Sequence, residues 1–507
     1  MSNRKKGLKN FVFSLLSQGI TIALGLILPR LWIVSYGSEV NGLLSSLSQF
    51  LVYLGLFEAG VGAATMQALY KPVAQKNWDG INGVLAATHG YYKKTGRWYF
   101  IGLLALSLLY PVFVDSSLSY PTIFGAVFFS GIGNVVSFYL QGKYYFLLSA
   151  DGKTYVTSIL GTIFHIASSF LKILLIYLKV NIVFILAACF VLQCIQVACL
   201  LWYVKKQYPH IRLDVAPNNG ALAQKNFALV HQISSLVFRN TDVLILTFFC
   251  DLRIVSVYSL FKMVTSQLDT LLGIPLSSIN FAQGQIYQTD KKRYIQRMDL
   301  LDSYYSAVVY AIFSVTLYLF PAFMRLYTAG VTDANYVDSW LALLFVLCSL
   351  LDRSRVLMIS TIEYAGHYRQ TLPQTVIETV INLVVSLIGV WLLGIYGVLI
   401  GTVVALTYRT NDLIIYVNRK LLERSAWRTY SIYLLNIVCF LLTQLLFRGI
   451  FGQIEIDSYW IFVLVGCGTS ALALLVTVGS QTLLMPHCRS QVKTLLGKIK
   501  RLGTARN

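Results

Sequence analysis

Long apolar runs separated by short polar and basic segments fill the sequence from residue 10 to residue 483. A helix needs about 20 mostly apolar residues to cross a bilayer, and about 14 runs reach that length. The predicted spans are 10–35, 42–68, 98–114, 121–141, 155–178, 181–204, 227–250, 255–279, 303–324, 339–360, 372–393, 396–416, 430–450 and 459–483. The pattern therefore predicts an all-α polytopic membrane protein with about 14 transmembrane helices.

The composition agrees with this pattern. Of the 507 residues, 56% are hydrophobic and 12% are charged, about half the charged fraction of soluble domains. Mean hydropathy is +0.66. These values exclude a soluble multidomain enzyme, a disordered chain and a secreted disulfide scaffold. The spans leave roughly 200 residues for connections and tails, too few for a soluble catalytic domain, and we expect no enzyme activity.

Lysine and arginine are unevenly distributed. There are 41 Lys+Arg against 21 Asp+Glu, a formal net charge of +20. With a cytoplasmic N-terminus, 33 of the 41 fall on cytoplasmic segments and 5 on outer ones. This bias predicts a multi-pass membrane protein with both termini in the cytoplasm. The basic face would meet anionic lipid, and we expect no nucleic-acid partner.

Two halves of the sequence repeat each other. Gly152-Lys153-Thr154 and Gly366-His367-Tyr368 each precede a predicted span, at an offset of 214 residues. SQFLVYLGL (48–56) likewise matches SQLDTLLGI (266–274). Each repeat holds six spans, an even number, so both halves enter the membrane in the same orientation.

The repeat predicts the domain organisation. We expect an N-terminal six-helix bundle (1–204), a cytoplasmic linker (205–226) and a C-terminal six-helix bundle (227–425). Two extra transmembrane helices (430–483) and a basic cytoplasmic tail (484–507) follow. Two parallel six-helix bundles that rock around a central cavity are typical of a transporter.

The seventh span carries the richest set of polar residues. His231, Ser235, Arg239 and Asp242 lie within an arc of about 80° on one helix face. Gln18 lies on a polar face of span 1, the repeat partner of span 7. We expect both faces to line the cavity, because ionisable groups inside a membrane segment usually serve function. The alternative is hydrogen bonding between packed helices.

Span 8 adds charges of both signs. Lys262 and Asp269 share one helix face. Asp242 and Lys262 lie at similar depth on either side of the turn between spans 7 and 8, which predicts a cross-helix pair. Arg239 is expected to reach Asp269 or Asp242. The alternative is that these charges only neutralise each other.

Two more candidate residues lie in the first two spans. Glu58 lies in a glycine-rich stretch between Gly55 and Gly60, where helices approach closely or break. A buried carboxylate there would exchange protons or hold a cation, and the alternative is pairing with an arginine. Arg30 follows Pro29 near the outer end of span 1; it is a further cavity candidate, although snorkelling to the interface is the stronger interpretation.

Two polar faces stay open between a binding site and helix–helix contact. One holds His165, Ser168, Ser169 and Lys172 on span 5, and the other holds Glu378 and Asn382 on span 11. The sequence contains no HExxH, no P-loop and no GxSxG. We therefore expect no catalytic residues, no metal site and no cofactor.

Three stretches carry a resemblance to a known family. They are KNFVFSLLSQGITIALGLILPRLWIVSYGSEVNGL (9–43), LGLFEAGVGAA (54–64) and FRNTDVLILTFFCDLRIVSVYSLF (238–261), the last with Asp242 and Tyr258. They resemble Wzx-type polysaccharide flippases of the multidrug/oligosaccharidyl-lipid/polysaccharide (MOP) exporter superfamily. The resemblance spans both six-helix halves, roughly residues 7–425.

This resemblance implies a protein of the cell (inner) membrane with two six-helix bundles in a V shape. It implies a monomeric flippase that moves an isoprenyl-diphosphate-linked oligosaccharide from the inner to the outer leaflet, for cell-surface polysaccharide synthesis. Polysaccharide polymerases or glycosyltransferases would be partners, and Arg239 would contact the diphosphate. Alternatives are a lipid II (peptidoglycan precursor) flippase, which has fourteen helices, and a drug or cation exporter of the same superfamily. A membrane oligosaccharide polymerase ranks lower, because no large outer loop is present.

Overall fold

The computed structural model describes residues 3–58, 61–218 and 225–490. Within these ranges the side chains of residues 3–18, 20, 57–58, 63–64, 225–235, 239, 277–278 and 281 lie outside the described set. The predicted basic tail lies outside it from residue 491 onward. The described residues form seventeen α-helices and two short helical segments, with no strand among them.

The chain divides into two compact units, Met1–Ser259 and Leu260–Asn507. The helices of the first unit are α1 (Asn3–Tyr36), α2 (Ser38–Leu54), α3 (Val61–Ala74), α4 (Trp78–Phe113), α5 (Tyr120–Leu140), α6 (Gly142–Ala150), α7 (Thr154–Tyr177), α8 (Ile182–Gln207) and α9 (Lys225–Phe249). A 3₁₀ segment, Gly55–Glu58, follows α2 directly. The predicted span 42–68 is therefore a broken helix.

Helix α10 (Leu252–Thr289) begins in the first unit and continues into the second. The remaining helices are α11 (Lys291–Tyr327), α12 (Ser339–Ser354), α13 (Val356–Ala365), α14 (Tyr368–Leu393), α15 (Ile395–Tyr416), α16 (Trp427–Phe451) and α17 (Tyr459–Leu484). A π-helical segment, Val417–Leu421, extends α15. The unit that ends at Ser259 thus includes α9, which the sequence assigns to the C-terminal bundle.

The predicted fold class is confirmed. Nine helices of the described ranges are long and apolar enough to cross a membrane, and α1, α2, α9, α10 and α12 correspond to the other five predicted spans. Large apolar side chains on these helices are exposed, among them Phe184, Trp391, Leu445 and Leu475. Such apolar faces are stable against lipid and not against water. The chain is a multi-pass membrane protein.

Polar residues fix where several helices begin. Asp338 accepts hydrogen bonds from the backbone N–H groups of Trp340 (2.8 Å) and Leu341 (3.0 Å) at the start of α12. Asp290 accepts from Arg293 N–H (3.0 Å) at the start of α11. These caps satisfy backbone donors that a helix end leaves free.

The repeat is visible in the order of the helices. The short helices α6 and α13 precede the long helices α7 and α14 at the offset of 214 residues seen in the sequence. Gly152 and Gly366 follow them with φ of +68° and +69°, a left-handed conformation that glycine adopts at little cost. Each unit also has a buried cluster against its short helix, around Leu147 in the first and Met358 in the second.

Several predicted connections are helical. The segments 69–97 and 280–302 belong largely to α3, α4, α10 and α11. Helix α10 has 38 residues, so it is about 57 Å long, well over the roughly 30 Å of a hydrocarbon core. The hydropathy pattern marks only the apolar part of such a helix, which is why the predicted spans start late or end early.

Candidate functional site

Four of the predicted site residues have side chains outside the described set. Gln18 belongs to α1, Glu58 ends the 3₁₀ segment, and His231 and Arg239 belong to α9. Their backbones take the helical positions that the sequence predicts. Their predicted roles in a cavity stay predictions.

Asp242 on α9 is buried, with a relative exposure of 4%. Its carboxylate accepts a hydrogen bond from the Tyr258 hydroxyl on α10 (2.8 Å). Tyr258 is itself buried. Hydrogen bonding is required here, because a carboxylate removed from water without partners is costly. The predicted pairing of Asp242 with Lys262, which is half-buried on α10, stays a prediction, and so does the role of half-buried Arg30 on α1.

Helix α2 packs along α9 and the start of α10 through side-chain hydrogen bonds, an arrangement we call the α2–α9 seam. Tyr53 and Thr241 hydroxyls lie 2.6 Å apart, and Ser46 and Thr247 hydroxyls lie 2.8 Å apart. At the far end the Asn41 carboxamide donates to the Ser256 hydroxyl (2.8 Å). The seam contains no ion pair among these contacts, so it is held by individually modest bonds.

Asp269, the predicted site residue on α10, forms an ion pair with Arg353. The Arg353 Nε lies 3.2 Å from Asp269 Oδ1, and the Arg353 Nη2 lies 2.5 Å from Asp352 Oδ2. The Arg353 side chain is 15% exposed. Arg353 therefore ties α10 to the end of α12 within the second unit.

The ion pairs continue from Asp352 into α14 and α15. Arg355 Nη2 lies 2.8 Å from Asp352 Oδ1, and Arg355 also donates to Glu378 on α14. Arg409 on α15 contacts the other Glu378 oxygen (3.7 Å) and pairs with Asp412. The side chains of Arg355, Glu378 and Arg409 are each less than 10% exposed.

We call these seven side chains the arginine–carboxylate network. It joins three guanidiniums (Arg353, Arg355, Arg409) with four carboxylates (Asp269, Asp352, Glu378, Asp412). Alternating charges offset the cost of burying each one, and removing one partner leaves another unpaired. The network links four membrane helices of the second unit, and it is the largest group of paired charges in the part of the chain described.

The sequence indicates only two parts of this network, Asp269 and Glu378. By their positions near predicted cytoplasmic ends, Arg353, Arg355 and Arg409 belong to the 33 basic residues assigned to the cytoplasmic side. The structure shows them in ion pairs within the second unit. One signal was present: Asp352 and Arg355, and Arg409 and Asp412, are opposite charges at i, i+3 next to apolar runs. That spacing places both charges on one helix face.

The fold is similar to that of solved flippase and multidrug transporter structures. The lipid II flippase MurJ, in an inward closed conformation, aligns with a TM-score of 0.66 and 12% identity, over 92% of this chain and 98% of that chain. An inward-facing multidrug resistance MATE family transporter of the MOP superfamily gives 0.57 and 15%, over 77% and 95%. A MATE structure in a bent conformation gives 0.51 and 15%, over 83% and 94%.

No family model and no curated protein matches the sequence. At identities of 12–15% the likeness shows the fold and leaves the substrate open.

Proposed function

We propose that the protein is a flippase that moves an isoprenyl-diphosphate-linked oligosaccharide from the inner to the outer leaflet by alternating access, for cell-surface polysaccharide synthesis. The observation that carries this proposal is the alignment with the MurJ flippase over 92% of this chain and 98% of that one. The multidrug MATE transporter covers 77% of this chain. A lipid-linked substrate is thus better supported than a soluble drug.

The head group sets the chemistry of the site. A diphosphate carries charge that must be compensated when it leaves water, and guanidinium groups bind phosphate through paired hydrogen bonds. We assign this role to Arg239 on α9, with Lys262 on α10 as a second cation. Asp242 would orient these cations when no substrate is bound, whereas Asp269, already paired with Arg353, is proposed as a further cavity residue. Glu58, His231, Gln18 and Arg30 are proposed as further cavity residues.

The α2–α9 seam supports alternating access. Its contacts are hydroxyl and carboxamide hydrogen bonds, each contributing about 1 kcal/mol, so they can separate and reform. By the predicted orientation, α2 starts and α9 ends at the outer surface. We propose that the seam closes the outer side while the substrate enters from the cytoplasm.

Lipid II is the second candidate substrate, because the flippase that aligns over almost its full length is named for it. A drug or cation exporter is the third. The proposed setting is the cell membrane, with both termini cytoplasmic, a monomeric chain, and glycosyltransferases or a polymerase as partners. No enzyme activity is proposed.

Transport by Arg239 variants tests the proposal. Proteoliposomes would be loaded separately with a fluorescent polyprenyl-diphosphate oligosaccharide, with lipid II, or with a cationic dye. We expect transport of the first, its loss in Arg239→Ala, and partial recovery in Arg239→Lys, because an ammonium lacks the paired donors.

Arg253→Ala is the matched control. Arg253 lies near the α9–α10 turn, is about half exposed, and lies 3.9 Å from Asp251, so its loss should leave transport unchanged. Normal transport by Arg239→Ala at normal protein abundance would remove the assignment of that residue. Transport of lipid II or of the dye alone would replace the proposed substrate.

A further inference from the structure

The first unit contains an open cavity lined by described residues of four helices. Its volume is about 520 Å³, within the roughly 300–1,000 Å³ range of small-molecule pockets. Helices α2, α5, α7 and α8 each turn one face toward it. None of the predicted site residues whose side chains are described lines it.

Helix α7 supplies the cationic wall. Gly161, His165, Ser168 and Lys172 line the cavity at positions i, i+4, i+7 and i+11, the spacing of one helix face. Lys172 lies five residues before Tyr177, the last residue of α7, and so about 8 Å from that helix end. His165 lies about 18 Å from it. The cationic wall is therefore inside the membrane-spanning part of α7.

Helix α8 supplies amides that face this wall. Gln193 and Gln196 line the cavity. The Gln193 carboxamide lies against Gly133 of α5, where an added Cβ would come within 1.9 Å of its Oε1. Its Nε2 is 3.5 Å from the Ser137 hydroxyl. The absence of a side chain at Gly133 thus leaves the space in which this amide packs against α5 at the cavity wall.

Charge determines what the cavity can accept. Among the described residues, no Asp or Glu lines it, and no hydrogen bond or ion pair joins the Lys172 ammonium to another of them. A lysine inside a membrane segment is costly unless it is compensated. Serine hydroxyls, glutamine amides and the imidazole add hydrogen-bond donors around the same space.

We propose that this cavity binds the phosphate-bearing head group of an anionic membrane lipid. Lys172 is its counter-ion, and His165, Gln193 and Gln196 are hydrogen-bond partners of its oxygens. A cationic drug would meet Lys172 without any carboxylate to offset it. The assignment goes beyond the proposed transport and does not depend on it, because phospholipids and polyprenyl diphosphates share this chemistry.

Native mass spectrometry of the purified full chain in a neutral detergent tests the proposal. The probes are phosphatidylglycerol and a polyprenyl diphosphate, with diacylglycerol as the uncharged comparison. We expect at least one of the two anionic probes to bind with one molecule per protein chain. The Kd of that probe should rise at least roughly tenfold in Lys172→Gln. Lys172→Arg should keep binding, which separates lost charge from misfolding.

A second variant blocks the space and keeps the charge. Gly161 lines the cavity, and a Cβ there meets no atom of the described residues within 4 Å. Gly161→Leu should therefore fill the cavity and weaken binding to a similar extent. Gly449→Leu, also without neighbours within 4 Å, and Lys179→Gln, an exposed lysine beyond α7, are controls that should bind as the parent protein does.

The outcomes separate the lipid sources. Binding of phosphatidylglycerol identifies a resident phospholipid, and binding of the polyprenyl diphosphate alone identifies the lipid carrier; both support the proposal. Unchanged binding in Lys172→Gln and Gly161→Leu, equal binding of diacylglycerol, or no binding of either anionic probe would overturn it. Transport by Arg239 variants is measured separately, so the two proposals fail independently.

Discussion

Arg355 and Glu378 form a buried ion pair that joins the end of α12 to α14, with the two side chains 8% and 7% exposed. Glu378 also faces Arg409 on α15, 3.7 Å away. One carboxylate therefore compensates two guanidiniums from two different helices. Removing the negative charge of Glu378, even without a change of side-chain volume, should therefore disturb the second unit strongly.

We expect Glu378→Gln to destabilise the protein. It leaves Arg355 and Arg409 buried without their shared counter-ion, and breaking a buried pair costs about 3–5 kcal/mol. The apparent unfolding temperature in neutral detergent should fall clearly, with reduced abundance in the membrane. Glu423→Gln is the control, because the ion pair of Glu423 with Lys291 (2.8 Å) is exposed. Equal unfolding temperatures for the two variants would show that the network does not stabilise the fold.

Sequence periodicity accounts for the helices and for the repeat. Apolar runs mark the spans because lipid requires them, and Gly152 and Gly366 mark equivalent turns because both have positive φ. The hydropathy pattern does not show where a helix continues past the bilayer, as α10 does to Thr289. Outside the bilayer a helix can carry polar residues, so that part of it does not form an apolar run.

The arginine–carboxylate network was hard to predict for a different reason. Arg355 and Arg409 lie near predicted cytoplasmic ends, where basic residues usually set topology. Only tertiary packing brings Glu378, ten residues into α14, between them. The polar face of α7 was recognised, but the space in front of Lys172 depends on how α5 and α8 pack.

Reporter fusions test the predicted topology. With 33 basic residues on one side of the membrane and 5 on the other, fusions at Lys6 and Arg501 should both report a cytoplasmic location. A fusion in the turn at Lys179 should report the outer side. A cytoplasmic signal at Lys179 would invert the orientation, and opposite signals at the two termini would mean an odd number of spans.

We expect acid to destabilise the segment that follows α17 through His487. Its Nε2 lies 2.7 Å from the Ser303 hydroxyl. Burial lowers the pKa of His487 below its usual 6.5, and Arg428 and Arg424 lower it further, against the opposing effect of Asp299. The folded state therefore binds the proton less readily than the unfolded state.

This difference in proton binding makes the folded state less stable in acid. Neutral His487 contributes its full stabilisation of the folded state above pH 6.5, the pKa of an ordinary histidine. This contribution is lost as the pH falls from 6.5 toward the lower pKa that His487 has in the folded state. Unfolding temperatures measured between about pH 7.5 and about pH 5.5 should fall in the parent protein. His487→Gln, which keeps hydrogen-bonding capacity, should show a smaller fall. An identical pH dependence in both proteins would rule out His487 as the source.

Gly42 provides the test of the α2–α9 seam. A Cβ at this position would lie 1.8 Å from the Leu252 carbonyl oxygen, so any larger residue must push α2 away from the start of α10. We expect Gly42→Leu to abolish transport, because the seam can no longer close. Its position can be measured by disulfide formation between cysteines at Asn41 and Ser256, whose side chains are 2.8 Å apart.

The disulfide should form readily in the Asn41→Cys, Ser256→Cys protein and be lost when Gly42→Leu is added. Gly19→Leu is the control, since a Cβ at Gly19 meets nothing within 4 Å. If substrate closes the cytoplasmic side and opens the seam, a transported polyprenyl diphosphate should slow disulfide formation. Full transport by Gly42→Leu with the disulfide intact would show that this close approach is dispensable, and the seam would then have no part in alternating access.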